Sequence, residues 1–216
     1  MKTSRTLCSI LCLLLLCFCL GAGAETDSSI TLGRWEGQPL TWHVLAEDGT
    51  KALLLMDRCL SAQPYHSENK AVTWETCSLR QWLAETFYST AFTPAEAGAI
   101  IRVNNPNPDA YGTPGGADTV DTVFVLSRSE LESLIPVLRD RKARLLTSPD
   151  PAAKPGTTAF ESTYDGATLY WLRSPGVDDK HACCVSWSGV VESHAVKAAT
   201  IAIRPAIWVE RSLLGF

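Results

Sequence analysis

The sequence predicts an α+β domain whose antiparallel sheet is built from both ends of the chain, with two or three helices between. Three observations predict it. Apolar and β-branched segments crowd residues 31–60. Helical spacing and capping signals occupy residues 76–136. Strand-like segments then return over residues 168–210.

The first strands are "TLGRWEG", "LTWHVLAED" and "KALLLMDRCL". Glu47 to Thr50, "EDGT", is a hairpin turn of the Asp-Gly type between the second and third. "SAQPYHSENK" follows as a polar loop. In "TCSLRQWLAETFYSTAF" the apolar residues Leu79, Trp82, Leu83 and Phe87 recur at helical spacing, with Thr76 or Ser78 to cap the start. In "TPAEAGAI", Thr93 is an N-cap, Pro94 fits the first helical position and Glu96 completes a capping box, so a short helix follows.

Residues 104–118, "NNPNPDAYGTPGGAD", are dominated by Pro, Gly and Asn and form a long loop. "TVFVLS" is a buried strand. Ser127 and Glu130 then make a second capping box, and Pro136 ends or kinks the helix that they open. "TSPDPAAKPGTT" is another loop. The closing strands are "TLYWLRS", "HACCVSW", "VVESHAV" and "AIRPAIWVE", with Gly189 at a hairpin turn.

The N-terminus carries a targeting signal. Lys2 and Arg5 precede an apolar run, "LCSILCLLLLCFCL", and Ala22-Gly23-Ala24 supplies small residues before a cut. The run is shorter than the roughly 20 residues that span a bilayer. Cys17 and Cys19 lack the Leu-x-small-Cys pattern of a lipoprotein. A signal peptide over residues 1–24 is therefore expected, cleaved after Ala24 to leave a secreted, extracytoplasmic domain over 25–216 with no membrane span.

Without Lys2 and Arg5, 17 basic residues face 23 acidic ones, a net charge of −6. With no basic run or stripe, nucleic acid is not an expected partner. Four of the eight cysteines lie in the leader, leaving Cys59, Cys77, Cys183 and Cys184. An oxidising compartment permits disulfides, and Cys59 to Cys77 is the expected bridge. Cys183 and Cys184 are neighbours on a strand, where side chains alternate between faces, so a bond between them would be strained.

Four segments in order, "TWETCSLRQWLAETFYSTAFTPAE", "DTVFVLSRSE", "WLRSPG" and "AIRPAIWV", resemble a bacterial extracytoplasmic family known as domain of unknown function 6273. The resemblance spans roughly Trp35 to Val209 and implies a secreted or surface protein of gut Firmicutes. The two closing segments further resemble the formylglycine-generating-enzyme branch of the C-type lectin-like fold. Here Ala202-Ile203-Arg204-Pro205 stands where relatives often carry Gly-Val-Arg-Pro.

The oxidising enzymes of that wider group use a copper-binding cysteine pair or a histidine-based iron site. His43, His66, His181 and His194 show no ligand spacing, and adjacent Cys183 and Cys184 suit one metal poorly. Asn105 to Asp109, "NPNPD", loosely echoes a calcium-lectin loop, the one route to calcium; otherwise no cofactor is expected. Nucleophile-elbow and phosphate-loop motifs are absent. Asp178 and Asp179 are adjacent rather than opposed as a glycosidase requires.

The remaining candidates are binding groups. Arg173 sits where an apolar strand meets Ser174-Pro175-Gly176. Its five donors suit a ligand carboxylate or, more simply, a tether holding that turn to the domain. Asp178, Asp179 and His181 follow at a hairpin tip. Tyr65, Tyr111 and Tyr164 lie in loops and offer aromatic faces to a sugar. Arg204, Trp82, Trp171, Trp208 and also Trp74 fall on apolar segments and are assigned to the framework. The expectation is a non-enzymatic module that binds a glycan or surface protein through loops 104–118 and 147–166 and the 176–181 tip. A metal-dependent oxidoreductase and a purely structural module are the rivals.

Overall fold

In the computed structural model, residues 29–146 and 159–214 are described. The leader, its cleavage point and residues 147–158 of the second expected contact loop lie outside them.

The N-terminal strands form where alternation predicts them. β1 (Ser29–Trp35) pairs with β2 (Gln38–Asp48), which turns at Gly49 into β3 (Lys51–Met56). A 3₁₀ turn at Trp74–Thr76 leads into a helical run made of α1 (Ser78–Trp82), a wider π-helical turn (Leu83–Phe87) and α2 (Tyr88–Ala91). The residues expected to form one helix do so, with a π turn inside it. This run buries Leu79, Leu83 and Phe87.

α3 (Pro94–Gly98) starts at the Thr93–Glu96 capping box, and Glu96 also accepts from the Gly33 amide at 2.9 Å. The short strands β4 (Ile100–Ile101), β5 (Val103–Asn105), β6 (Thr119–Asp121) and β7 (Val123–Phe124) follow. α4 (Arg128–Leu134) opens at the Ser127–Glu130 capping box and stops just before Ile135-Pro136. β8 (Tyr170–Pro175), β9 (His181–Val185), β10 (Val191–Ala195) and β11 (Ala206–Glu210) complete the chain.

The largest sheet runs β1-β2-β3-β11-β4, with β7 also on β11, and every pairing is antiparallel. The two chain ends therefore meet in one sheet, as the element order implied. A second sheet runs β10-β9-β8, and β5 pairs with β6. The architecture is mostly β, with few helices, and compatible with the α+β class. Its core is rich in rings: Trp42, Trp74, Trp171, Phe87 and Phe124 are all fully buried.

Two expected strands are shorter than their apolar patterns. "AIRPAIWVE" begins its ladder only at Ala206, because Pro205 has no amide to donate. Before it, single bridges at Ala202 and Ile203 replace the ladder. "TVFVLS" is a strand only over Val123–Phe124. Val125 and Leu126 stay buried, but outside the β11 ladder: the Val125 carbonyl accepts from the Arg173 guanidinium and the Leu126 carbonyl from the Arg173 amide of β8.

Candidate functional surface

β8 is buried along its whole length, and Arg173 is only 2% exposed. The Arg173 guanidinium makes a two-pronged ion pair with the Glu130 carboxylate, with Nη2 to Oε1 at 2.5 Å. Nη1 also donates to the Val125 carbonyl at 3.0 Å and Nη2 to the Pro106 carbonyl at 3.4 Å. The cation lies over the Phe124 ring at 5.5 Å. Glu130 is itself placed by α4, since its Oε2 accepts from the Ser127 amide at 2.8 Å. One side chain thus joins the 104–118 loop, the segment after β7 and the first turn of α4. Arg173 faces inward, and what it orders is the surface above it.

That surface has two parts. The first is a hairpin tip in the 104–118 loop. Ala110 and Thr113 exchange both backbone bonds, at 3.1 and 2.8 Å, across Tyr111-Gly112. Both central residues have positive φ, +54° and +78°. This is the geometry of a type I′ turn, in which Asn-Gly is usual and an aromatic residue is strained. Tyr111 is nevertheless 47% exposed, with the Arg128 guanidinium 4.7 Å from its ring. Arg128 is anchored in turn: Glu132 accepts from its Nε at 2.9 Å, and Ser174 Oγ accepts from its amide at 2.9 Å.

The second part is the turn after β8. Asp178 Oδ1 meets His181 Nδ1 at 2.6 Å and accepts from the Lys180 amide at 2.8 Å. The His181 contact, with the Lys180 amide adding to it, holds the Asp178 carboxyl below its ordinary range. Asp179 is exposed, and its carbonyl accepts from the Val72 amide at 2.9 Å. The Ser174 contact with Arg128 links this turn to the Tyr111 tip. Tyr111 is thus carried by a loop tied to the Arg173 node, while Asp178, Asp179 and His181 follow β8 in the turn that begins two residues beyond Ser174.

Tyr164 is 95% exposed but stands on a separate turn, closed by the Gly166 amide on the Ser162 carbonyl at 2.9 Å. Tyr65, expected at a contact surface, is buried instead. Its ring packs against Trp74 and Trp171, and its hydroxyl donates to the Arg173 carbonyl at 3.1 Å. Satisfying that hydroxyl on a backbone carbonyl is what lets the ring enter the core.

Arg204 is 6% exposed and donates to the carbonyls of Met56, Arg141 and Asp57, with the Tyr170 ring beneath it. Trp171 is fully buried; its indole donates to the Gln63 carbonyl at 2.9 Å. Trp82 and Trp208 are half-buried, Trp82 against Trp35 and Phe87, Trp208 beneath Lys51.

The four cysteines among the described residues are free buried thiols, so the expected Cys59–Cys77 bridge is not formed. Each has its own setting. Cys59 is bonded through its backbone to Arg144 and Leu146 near Arg204, while Cys77 Sγ caps α1 by accepting from the Arg80 amide at 3.4 Å. Burial pushes both thiols up to about 12 and Cys183 up to about 11, and raises Cys184 as well. Cys183 and Cys184 are successive residues of β9, where side chains alternate between faces, so they do not present a thiolate pair to one copper(I) ion. Among the described residues no three His, Cys, Asp or Glu side chains gather as a metal site, so an iron triad does not fit either.

Asp121 escaped the sequence reading. It is 5% exposed and accepts from Trp74 Nε1, Asn105 Nδ2, Thr119 Oγ1 and Arg80 Nε at 2.6 to 3.1 Å. Burial raises its pKa, but these four donors outweigh it and hold the carboxyl below its ordinary value. Its donors come from residues 74, 80, 105 and 119, a spread that no local motif encodes. A shallow cleft of about 270 Å³ between Thr41, Met56, Asp57, Arg58 and Leu146 was equally invisible. His43 Nε2 meets Asp57 Oδ1 beside it at 2.9 Å.

A family profile described as Domain of unknown function (DUF6273) matches residues 49–211. No curated protein and no solved structure matches the chain significantly. The matched span runs from the β2–β3 turn to the end of β11 and takes in the capping boxes, the Arg173 node and Arg204. The chain belongs to the DUF6273 family.

Proposed function

We propose that this chain is a secreted or cell-surface, non-enzymatic binding module. Its contact surface is the Tyr111 tip with Arg128 and the adjoining 176–181 turn, and its ligand is a glycan or the surface of a protein, with a glycan favoured. One observation carries the reading: an aromatic side chain is held exposed, at a backbone angle that disfavours it, on loops that a buried ion pair locks together. Strain of this kind persists where the surroundings over-determine it and is concentrated at ligand sites. An aromatic face beside a guanidinium suits a hydroxyl-rich ring, which offers apolar C–H faces and polar edges together. Extracytoplasmic placement rests on the leader. The meeting of β3 with β11 supports a C-type lectin-like arrangement, in which both chain ends close the sheet.

A glycan array tests the reading. The wild-type chain retains a defined set of glycans, and Tyr111→Ala and Asp178→Ala lose them with unchanged melting temperature. Retention by both variants of every glycan the wild type holds would overturn the assignment of this surface.

A further inference from the structure

Among the described residues, the second sheet has one covered edge and one open edge. Along β8 the outer edge is occupied: the Trp171 amide donates to Ala202 and the Arg173 amide to Leu126, both at 3.0 Å. β10 is different. Its register against β9 pairs Glu192 with Cys184 and His194 with Ala182. Hydrogen bonds at 2.8 Å from Ser186 to Val190 and at 2.9 Å from Val196 to Lys180 flank that ladder. Bonded positions alternate along an antiparallel strand, so Glu192 and His194 direct their backbone groups to β9. Val191, Ser193 and Ala195 direct theirs outward. Among the described residues no acceptor meets these three outward amides, and only the Ala195 carbonyl is used, by the Ala198 amide at 2.8 Å. No proline, lysine or bulge interrupts Val191–Ala195, and Glu192 is its one carboxylate.

The sequence of that edge is self-complementary. We propose that β10 is a homodimer interface, pairing antiparallel with β10 of a second copy about a two-fold axis through Ser193. Continuity of the ladder demands that the outward-facing residues form the bonded pairs. Ser193 then bonds Ser193 of the partner subunit, and Val191 bonds Ala195 of the partner subunit. Glu192 falls directly opposite His194 of the partner subunit, in a non-bonded pair where side chains approach most closely. The same contact repeats on the other side of the axis, as an isologous interface requires. A one-residue slip would turn the bonding groups away from each other. A two-residue slip would break the Glu–His matches. Glu192 and His194 already touch within one strand at 3.4 Å. In the dimer each gains an opposite partner, and two three-stranded sheets become one of six strands.

Sedimentation equilibrium of the purified chain over a wide concentration range tests this. The expected result is a reversible monomer–dimer equilibrium. Ser193→Pro removes an outward amide that no described acceptor meets, together with the Oγ that accepts from the Val177 amide at 3.0 Å; it is expected to leave the chain monomeric, with folding checked by circular dichroism. Glu192→Lys sets an ammonium group opposite His194 of the partner subunit and is expected to weaken the dimer about tenfold. Glu192→Lys combined with His194→Glu restores complementarity and should recover the wild-type constant; this rescue stands even if Ser193→Pro does not fold. A single-chain mass at every concentration overturns the proposal. So does a dimer indifferent to both the proline and the charge swap.

Discussion

The two buried arginines of the closing strands solve the same problem in different ways. Arg173 neutralises its charge with a carboxylate, Glu130, and adds two carbonyls. Arg204 relies instead on the carbonyls of Met56, Arg141 and Asp57 and on the Tyr170 hydroxyl and ring. The first sits beneath the loops proposed to bind, and its counter-ion is 30% exposed at the start of α4. The second sits where β3 and β11 come together. The ionic tether orders loops, whose chain path is otherwise free, while the carbonyl tether closes a sheet already held by its ladder.

Glu130→Ala leaves the Arg173 cation buried without its partner and removes a capping box. A loss of about 3 to 5 kcal/mol is expected from urea melts, together with loss of glycan retention. Arg204→Ala leaves three carbonyls to find other donors and should cost about 1 to 3 kcal/mol without altering retention by the correctly folded fraction. If the two losses were equal and both abolished retention, the distinction between loop tether and sheet tether would be gone.

Acid sharpens it further, through the other anchor of the 104–121 region. Asp121 has a folded pKa below its ordinary 3.8. Its contribution is therefore complete above that value and disappears as pH falls through the lower folded value. Stability of the wild-type chain should drop steeply below about pH 4. Asp121→Asn should be less stable at neutral pH and flatter in acid, as thermal melts across the range would show. A wild-type acid slope retained by Asp121→Asn would assign the effect elsewhere.

The smallest effects concern single groups. The buried thiols should resist alkylation in the native chain at neutral pH, and four should react after denaturation of the chain cut at Ala24. Reaction of only two would restore the Cys59–Cys77 bridge. Tyr111→Gly relieves the left-handed strain but adds unfolded-state entropy, so stability should shift by less than about 1 kcal/mol while ligand retention is lost.

Much of the framework could be read from local pattern. The β2–β3 hairpin, both capping boxes, the stop before Pro136 and the return to strands after residue 168 depend on neighbours within a few positions, where steric and hydrogen-bonding preferences act directly. Helical spacing located the run from Ser78 to Ala91 but not its π turn. Apolar pattern overestimated the strands at 122–127 and 202–205, because burial alone does not say whether a carbonyl will face a strand or an arginine.

What sequence by itself determined is therefore the set of elements, their order and the family to which they belong. Tertiary structure decided the rest. It turned Arg173 inward onto Glu130, 43 residues away, and drew four distant donors onto Asp121. It kept Cys59 and Cys77 as thiols, moved Tyr65 from a contact loop into the core and, among the described residues, gave β8 a neighbour on its outer edge and β10 none. The physical reason is common to all of these. The partner of a buried polar group, and the neighbour of a strand edge, are chosen by whichever distant segment packing delivers, and no local spacing carries that information.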